Sequence, residues 1–375
     1  MKKILPFWEA FATIVGTVIG LGIFALPYAA KKTGIAPTAT LVLFVAAVSV
    51  IVSVLYAEIV IFDKREECVV SYAKRYLGRW MGWAEAVSVM FGYTGTILAY
   101  VLAIAVFVKE LIPGDGIYFW PIILVYSAIS GLVLLRGVRN LGNLEIFLAG
   151  LMCVAFVLVF WKSVPHWNPL ESDWSKIVVP YGVVWFSLSS GPAIPVAVRI
   201  LESKGKKVCG AISLAYILIT AVTIAFFVAA LKTGGQGIGP DPFVSLAAKM
   251  GSWVLYAGTG IGILAVVTSH WTLATYFKNI LIADMRISPI ASWLLVIFLP
   301  MFLVLLGISN FVSVIGLVGL LAGTFDALLI MAIYKKIFSR KNTVPRVLPF
   351  KLPRTAIWLI ILGLLGAAGS ALNSL

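Results

Sequence analysis

Apolar runs of about 20 residues or more recur along the whole 375-residue chain, separated by short polar breaks. A helix needs about 20 mainly apolar residues to cross the hydrocarbon core of a bilayer. Hydrophobic residues make up 61% of the sequence and charged residues only 12%, which is more apolar surface than a water-soluble domain can bury. The sequence therefore predicts an all-α polytopic membrane protein whose surroundings are the lipid bilayer.

The boundaries of the apolar runs predict eleven membrane helices in a single transmembrane domain that covers residues 1–375. Five spans are expected at about 7–30, 36–62, 81–108, 118–135 and 141–162. Six more are expected at about 178–199, 208–231, 244–277, 289–306, 309–334 and 354–372.

The net charge of +14 is explained by membrane orientation. With a cytoplasmic amino terminus, 22 of the 29 lysine and arginine residues fall on the cytoplasmic side, as the positive-inside rule requires. This predicts a multi-pass protein of the cell membrane, with its carboxyl terminus outside and no nucleic-acid partner. The first cytoplasmic loop, from Asp63 to Trp80, is expected to form an interfacial amphipathic helix with a structural role.

The first span contains an unusual concentration of glycine, with Gly16, Gly20 and Gly22 inside seven residues. Glycine costs about 1 kcal/mol against alanine in a helix interior. A broken membrane helix is tolerated only where its freed backbone groups face protein or a polar cavity. The stretch therefore predicts a cavity near the middle of the membrane. The alternative is a close-packing face, since Gly16 and Gly20 are four residues apart.

A second interruption lies in the sixth span, from Trp185 to Pro195, where three serines, a glycine and two prolines fall within an apolar run. Paired interruptions in corresponding halves indicate the binding site of a secondary transporter. Gly16 and Ser187 are 171 residues apart, and the ends of spans five and ten are 172 apart. This spacing predicts two five-helix repeats, about 7–162 and 178–334, plus an extra helix at 354–372. An odd number of spans per repeat makes the repeats inverted.

These features resemble the amino acid–polyamine–organocation superfamily, and most closely its amino acid/auxin permease and aromatic amino acid permease group. The resemblance rests on GTVIGLGIFALPYA in span one, WFSLSSGPAIP followed by ESKGKK at span six, TSHWTLATYFKNILIAD at span eight, and the span count. The span-six stretch is also similar to the corresponding motif of the leucine-transporter-type fold. The resemblance implies an amino acid transporter that works by alternating access.

In the resembling families, the unwound backbone of helices one and six binds the amino and carboxylate groups of the substrate. A helix amino terminus, with its free N–H groups and partial positive charge, suits a carboxylate. Here Val18 to Gly22 would hold the carboxylate, and carbonyls near Gly16, Thr17, Ser187 and Ser190 would receive the ammonium group. The substrate-binding residues implied in this way are Gly16, Thr17, Val18, Ile19, Gly20, Gly22, Phe186, Ser187, Ser189, Ser190 and Gly191.

Aromatic residues complete the expected substrate site. Phe186 aligns with the aromatic gate of the leucine-transporter-like pattern, and ordinary packing is the alternative. Tyr93 and Tyr100 on span three are seven residues apart and share a helix face, so one hydroxyl could reach a substrate carboxylate. The alternative for these two residues is that they are packed or interfacial tyrosines.

The resemblance also implies a sodium site, with Ala265, Thr268 and Ser269 on span eight and carbonyls of Gly16 and Ile19 on span one. Oxygen ligands suit a small cation, but serine and threonine hydroxyls also bond to their own helix backbone. Some relatives couple protons through a lysine on span five. Span five has no lysine here from Leu141 to Trp161, which favours sodium over H⁺. No further cofactor is expected.

Two other polar residues in the spans are candidates for proton transfer. His270 is expected to face away from the site, and Asp326 lies deep in span ten. The sequence thus predicts a cation-coupled amino acid symporter, with a proton-coupled permease or an exchanger as the alternative. A channel is less favoured because it would not require paired broken helices. An enzyme is less favoured because only two histidines are present, and the lack of a GxxxxGK[ST] motif argues against an ATP-driven pump. The amino acid transported and the oligomeric state are left open.

Overall fold

The apolar runs form helices in the computed structural model, which describes residues 5–64, 68–112, 119–136, 141–168, 170–338, 347, 364–365 and 368–369. Every regular element within these residues is helical. Seven helices are long and apolar enough to cross a membrane, and a bent pair of helices near the amino terminus adds an eighth candidate. The prediction of an all-α polytopic membrane protein is confirmed.

In the first part of the chain, the described residues form seven helices: α1 Leu5–Val18, α2 Leu21–Ala30, α3 Ile35–Asp63, α4 Val69–Tyr76, α5 Arg79–Leu111, α6 Phe119–Arg136 and α7 Leu141–Ser163. In the second part, the described residues form eight: α8 Tyr181–Ser187, α9 Ala193–Ile200, α10 Gly205–Gly234, α11 Pro242–Met250, α12 Trp253–Ala283, α13 Pro289–Leu305, α14 Phe311–Val318 and α15 Thr324–Phe338. The predicted eleventh helix at 354–372 lies outside the described residues, apart from 364–365 and 368–369.

Both predicted interruptions are breaks in the structure. In the first span, Ile19 and Gly20 separate α1 from α2, and the helix axes differ in direction by 47°. Gly20 has φ −156° and ψ −149°, far from helical values. In the sixth span, α8 ends at Ser187, and α9 begins only at Ala193. The glycine and proline clusters therefore mark the two points where membrane-embedded backbone leaves the helix.

The predicted start of the eighth span, which was expected at 244–277, is wrong. The structure divides this region into α11 and α12, with Gly251 between them at φ +96°, a conformation that favours glycine. Asp241 caps α11, accepting a hydrogen bond of 2.8 Å from the Phe243 amide. The membrane helix therefore begins at Trp253, and α11 is a separate helix against its outer part.

The tenth span is continuous but not uniformly α-helical. A π-helical stretch, Gly319–Gly323, joins α14 to α15. Such stretches are rare and frequently occur at functional sites. A Cβ atom on Gly319 would collide with the carbonyl of Gly182, and one on Gly182 would collide with the carbonyl of Gly316. Helix α8 therefore packs directly against the backbone of span ten.

Gly22 also allows close packing of backbone, in this case between the two broken spans. A Cβ atom at Gly22 would lie 2.7 Å from Cα of Ser187, whereas one at Gly20 would meet nothing within 4 Å. The close-packing glycine of the first span is thus Gly22, which the proposed Gly16–Gly20 face did not include. Only a residue without a side chain allows α2 to approach α8 this closely.

We predict that Gly22→Ala destabilises the protein, because the added methyl group displaces the backbone at Ser187. Overpacking of this kind costs about 1–3 kcal/mol. The expected result is a melting temperature several degrees below wild type for the purified protein in detergent.

The matched control is Gly150→Ala on α7, where a Cβ atom meets nothing within 4 Å. This substitution should leave the melting temperature unchanged or raise it, since alanine is the better helix former. Equal melting temperatures for Gly22→Ala and wild type would contradict the close contact between α2 and α8.

Candidate functional site

A single cavity lies between the two broken spans and continues along α5 and α15 towards α4. Its wall contains backbone and side chains from both breaks and from the helices around them. The residues from the breaks are Thr17, Val18, Gly20, Leu21, Gly22, Trp185, Phe186, Leu188, Ser189, Ser190, Gly191 and Pro192. The cavity predicted from the first glycine cluster therefore exists, and both interruptions contribute to it.

Most of the substrate-binding residues expected from sequence lie on this wall, including Tyr93 and Tyr100 on α5. Three of them do not line the cavity: Gly16, Ile19 and Ser187. All three are buried. Ser187 donates a hydrogen bond of 2.7 Å to the carbonyl of Val183 and packs against Gly22, so its hydroxyl is used within the fold.

The amino end of α2 meets the cavity without a side-chain cap. Its N-cap residue is Gly20, which makes no side-chain hydrogen bond, and Gly20, Leu21 and Gly22 all line the cavity. The first four N–H groups of a helix have no partner within that helix, and the helix dipole makes this end partly positive. The arrangement provides a binding position for an anionic group such as a carboxylate.

The second break is held by a cluster of hydroxyl groups that sequence reasoning did not identify. The Tyr216 hydroxyl on α10 lies 2.9 Å from both the Leu188 carbonyl oxygen and Ser190 Oγ. Ser53 Oγ on α3 lies 2.9 Å from Ser190 Oγ and 3.2 Å from the Tyr216 hydroxyl. The hydroxyl groups of Ser53, Ser190 and Tyr216 therefore fix the non-helical backbone in place. Ser49 and Ser53, one turn apart on an otherwise apolar helix, were the available signal.

The three aromatic residues named from sequence lie at different parts of the cavity wall. Phe186 is half-buried at the second break. The Tyr93 ring stacks on Phe277 with its centroid 5.4 Å away, and the Tyr100 ring lies 6.0 Å from the His270 ring. The cavity thus combines aromatic surface with the free backbone of the breaks.

The residues of the predicted sodium site are not part of the cavity wall. Ala265 and Thr268 are buried in α12, and Ser269 is half-buried. The Thr268 hydroxyl donates to its own helix, with the Leu264 carbonyl oxygen at 3.1 Å and the Ala265 carbonyl oxygen at 3.0 Å. The sequence left this hydrogen bonding to the helix backbone open as the alternative to a sodium ligand. Because the hydroxyl group is the donor in these bonds, its oxygen keeps lone pairs that can bind a cation.

His270 and Asp326 occupy different environments. His270 is 1% exposed and off the cavity wall, with Nδ1 2.5 Å from the Tyr126 hydroxyl. Asp326 lies on the cavity wall, where its carboxylate accepts a hydrogen bond of 3.1 Å from Ser88. In the part of the chain that the structure describes, no three His, Cys, Asp or Glu residues are grouped as a metal site.

The helix expected in the first cytoplasmic loop is present, but it is not purely interfacial. It covers only Val69–Tyr76, and Tyr72 at its centre is fully buried against α5 and α15. Cys68 and Val69 at its start line the cavity. Helix α4 therefore borders the cavity at one end of the bundle. Its apolar face packs against other helices there and not against the membrane surface.

The opposite end of the bundle is closed by phenylalanine rings. Phe24 on α2 makes edge contacts with Phe107, Phe156, Phe226 and Phe243, with ring centroids 5.7–6.1 Å apart. All five rings are at most 2% exposed. Phe243 belongs to α11 and packs against Gly258 of α12. The cavity is therefore separated from the α11 side by a dry aromatic layer.

Helix α11 is attached to α12 through one carboxyl group. Asp241 is 3% exposed and accepts hydrogen bonds from the Phe243 amide at 2.8 Å and the Thr259 hydroxyl at 2.9 Å. Burial raises the pKa of the Asp241 carboxyl to about 6; the two hydrogen bonds oppose this change, and the nearby Glu110 carboxylate adds to it. The attachment of α11 is therefore sensitive to pH near neutrality.

We predict that α11 is held less tightly at pH 7.5 than at pH 5. The Asp241 carboxyl has a higher pKa when α11 is packed on α12 than when the carboxyl is exposed to solvent. Its contribution to this packing is therefore complete below about pH 4 and is lost as pH rises through about 6. A carboxyl pKa near 6 instead of about 4 changes the opening equilibrium by up to about 100-fold overall, and about tenfold of this change, or roughly 1.4 kcal/mol, lies between pH 5 and pH 7.5. Hydrogen exchange of the α11 amides, corrected for intrinsic rates, measures this change.

Asp241→Asn should remove this pH dependence, since the amide does not titrate. Asp173→Asn, in a loop where the carboxyl pairs with Lys176, should keep the wild-type dependence. Equal α11 protection at pH 5 and pH 7.5 in the wild-type protein would show that Asp241 does not control the attachment.

Two broken membrane helices around a central cavity, closed at one end of the bundle, define a helical membrane carrier. The fold is that of the leucine-transporter type: the structure is similar to the crystal structure of MhsT in complex with L-phenylalanine, with a TM-score of 0.68. That similarity covers 97% of this chain and 98% of MhsT at 14% sequence identity. A search of curated proteins finds no match.

The sequence profile described as transmembrane amino acid transporter protein matches residues 5–230. This region is more than half of the 375-residue chain and contains both breaks. The chain belongs to this family of amino acid transporters, and the superfamily expected from the sequence motifs is confirmed.

Proposed function

We propose that this protein is a cation-coupled secondary transporter of amino acids that works by alternating access in the cell membrane. The observation that supports this proposal is the cavity itself, which includes both helix breaks and is closed by phenylalanine rings at the α11 end. With the amino terminus cytoplasmic, as the charge distribution predicts, the described conformation faces inward. An outward-facing conformation then requires separation of the rings around Phe24.

The backbone at the breaks is the proposed binding position for the amino acid itself. Within Val18 to Gly22, the N–H groups of Gly20, Leu21 and Gly22 would bind its carboxylate, because the Ile19 amide already donates to the Val15 carbonyl oxygen at 2.9 Å. The carbonyls near Gly16, Thr17, Ser187 and Ser190 would bind its ammonium group. Main-chain groups that leave the helix inside a membrane need polar partners. The non-helical backbone on the cavity wall therefore supports this arrangement. MhsT, whose fold is similar, holds L-phenylalanine.

Sodium is the favoured coupling ion, with Gly16, Ile19, Ala265, Thr268 and Ser269 as its ligands. A cation would be held between the first break and α12, so that its binding stabilises one arrangement of α1 relative to α12. Proton-coupled transport and exchange are the alternatives within this class. A membrane enzyme is disfavoured by the family, whose members are described as transporters.

The test is uptake of labelled amino acids into proteoliposomes with an imposed sodium gradient, an imposed proton gradient, or neither. Accumulation is expected with sodium. Accumulation that is indifferent to both gradients would refute the proposed coupling, and no uptake of any of the twenty amino acids would refute the proposed function.

Thr268→Ala tests the sodium ligands. Loss of one oxygen ligand is expected to raise the sodium concentration for half-maximal uptake about tenfold, equivalent to about 1.4 kcal/mol. The matched control is Thr275→Ala on the same helix, since the Thr275 hydroxyl also bonds to its own backbone, at 2.8 Å from the Trp271 carbonyl oxygen. An unchanged sodium dependence in Thr268→Ala would exclude that residue as a ligand.

A further inference from the structure

Two acidic side chains meet at the α4 end of the cavity. Glu85 on α5 and Asp326 on α15 are both on the cavity wall. Ser88, one turn after Glu85 on α5, donates a hydrogen bond of 3.1 Å to Asp326, and this contact brings the two carboxyl groups to the same part of the wall. Glu85 is 0% exposed. The two residues are 241 positions apart in sequence, so only the packing of α15 against α5 brings them together.

Among the residues that the structure describes, the pair has no compensating positive charge. Within the described residues, no lysine, arginine or histidine forms a salt bridge with either carboxyl group. Asp326 receives a hydrogen bond from Ser88. Neither Glu85 oxygen has a partner of full hydrogen-bond geometry in the described part of the chain, although the Asp326 carboxyl is close to it.

In the described part of the chain, the other titratable groups on the cavity wall around the pair are neutral in their ordinary state. They are Tyr56 on α3, Cys68 at the start of α4, Tyr93 on α5 and Tyr276 on α12. Phenol and thiol groups of this kind do not offset two negative charges. The electrostatic balance of the pair therefore depends on the two carboxyl groups themselves.

Two adjacent carboxylates in a partly dry site cannot both remain ionised at moderate cost. A buried polar group without a partner is also unfavourable. One proton placed between the two groups removes both penalties, because it halves the charge and lets Glu85 donate a hydrogen bond to Asp326. The geometry therefore favours a pair that carries one proton.

The pair lies about two helical turns from the π-helical stretch of span ten. Gly92, which faces Ala322 of the π-helical stretch, is seven residues from Glu85, or about 10 Å along α5 at 1.5 Å per residue. Asp326 follows Gly323 by three residues on span ten. A change in the packing of α5 against span ten would therefore alter the distance between the two carboxyl groups.

We propose that Glu85 and Asp326 together form a proton-binding site in the wall of the cavity, distinct from the expected sodium ligands on α12. That the site affects amino acid movement rests on the proposed transport function; that it binds a proton does not. The proton is held while the two carboxyl groups are adjacent, and it is released when α5 and span ten separate them or when a cation takes its place.

Infrared spectroscopy of the reconstituted protein tests the proton directly. The wild-type protein at neutral pH should show a protonated-carboxyl band that shifts in D₂O. This band should be lost or reduced in Glu85→Gln and in Asp326→Asn, and it should persist in Glu110→Gln, an exposed carboxylate at the other end of α5. A wild-type spectrum without such a band, or a band unchanged in both variants, would overturn the proposal. The absence of the band from the wild-type spectrum would overturn the proposal even if the variants do not fold.

Transport measurements test whether the proton site affects the movement of amino acids. In wild-type proteoliposomes, one unit of inward proton gradient should stimulate initial uptake by up to about tenfold, the change in occupancy that one site allows. Glu85→Gln should retain counterflow of labelled amino acid but lose this stimulation, and Glu110→Gln should respond like wild type. Stimulation that persists in Glu85→Gln would contradict the proposed coupling.

Two further results distinguish a failure of the proton site from a failure of transport. If the wild-type protein moves no amino acid at all, the transport function fails, while the infrared result still decides whether the pair holds a proton. If Glu85→Gln instead loses binding only of amino acids with cationic side chains, at every pH, the pair binds the substrate side chain and the proton-site proposal is wrong.

Discussion

The structure depends on one constraint: inside a membrane, backbone that leaves the helix must find polar partners within the protein. Two segments leave the helix here, at Gly20 and between Ser187 and Ala193. The fold satisfies part of this requirement with the Tyr216 hydroxyl, which lies 2.9 Å from the Leu188 carbonyl oxygen. Backbone of both breaks lines the cavity, at Gly20 to Gly22 and at Leu188 to Pro192. A cavity bordered by non-helical backbone is therefore a consequence of breaking two neighbouring spans.

The same constraint explains where the chain uses glycine. Gly22 lets α2 approach Ser187, while Gly182 and Gly319 allow contact between α8 and the backbone of span ten. These contacts bring the first break, the second break and the π-helical stretch into one unit. A shift in any of the three elements must affect the others, since no side chain lies between them to absorb the movement. Coupled movement of these elements is what alternating access needs.

The two ends of the cavity differ in chemistry. The α11 end is a layer of phenylalanine rings, whose mutual contacts exclude water and can separate without breaking a hydrogen bond. The α4 end contains Ser88, Glu85 and Asp326, groups that gain from water or a proton. The cavity thus has an apolar closure at one end and polar groups at the other.

Local signals made much of this structure predictable. Runs of apolar residues and the glycine and proline clusters act through short-range physics, so both breaks and most helix positions followed from sequence. The start of α12 was missed because α11 is nearly as apolar as a membrane span, and only Gly251 and Ser252 separate the two helices. Contacts between distant residues could not be predicted. Ser53 and Tyr216 are 163 residues apart and Ser88 and Asp326 are 238 apart, and hydropathy carries no information about such pairs.

The central claim is that an amino acid binds at the two breaks through its ammonium and carboxylate groups. Electron cryo-microscopy of the protein with a saturating transported amino acid tests it most directly. The expected result is ligand density between Val18–Gly22 and Ser187–Gly191, with the carboxylate at the amino end of α2. Density that lies elsewhere in the cavity, away from both breaks, would contradict this mode of binding.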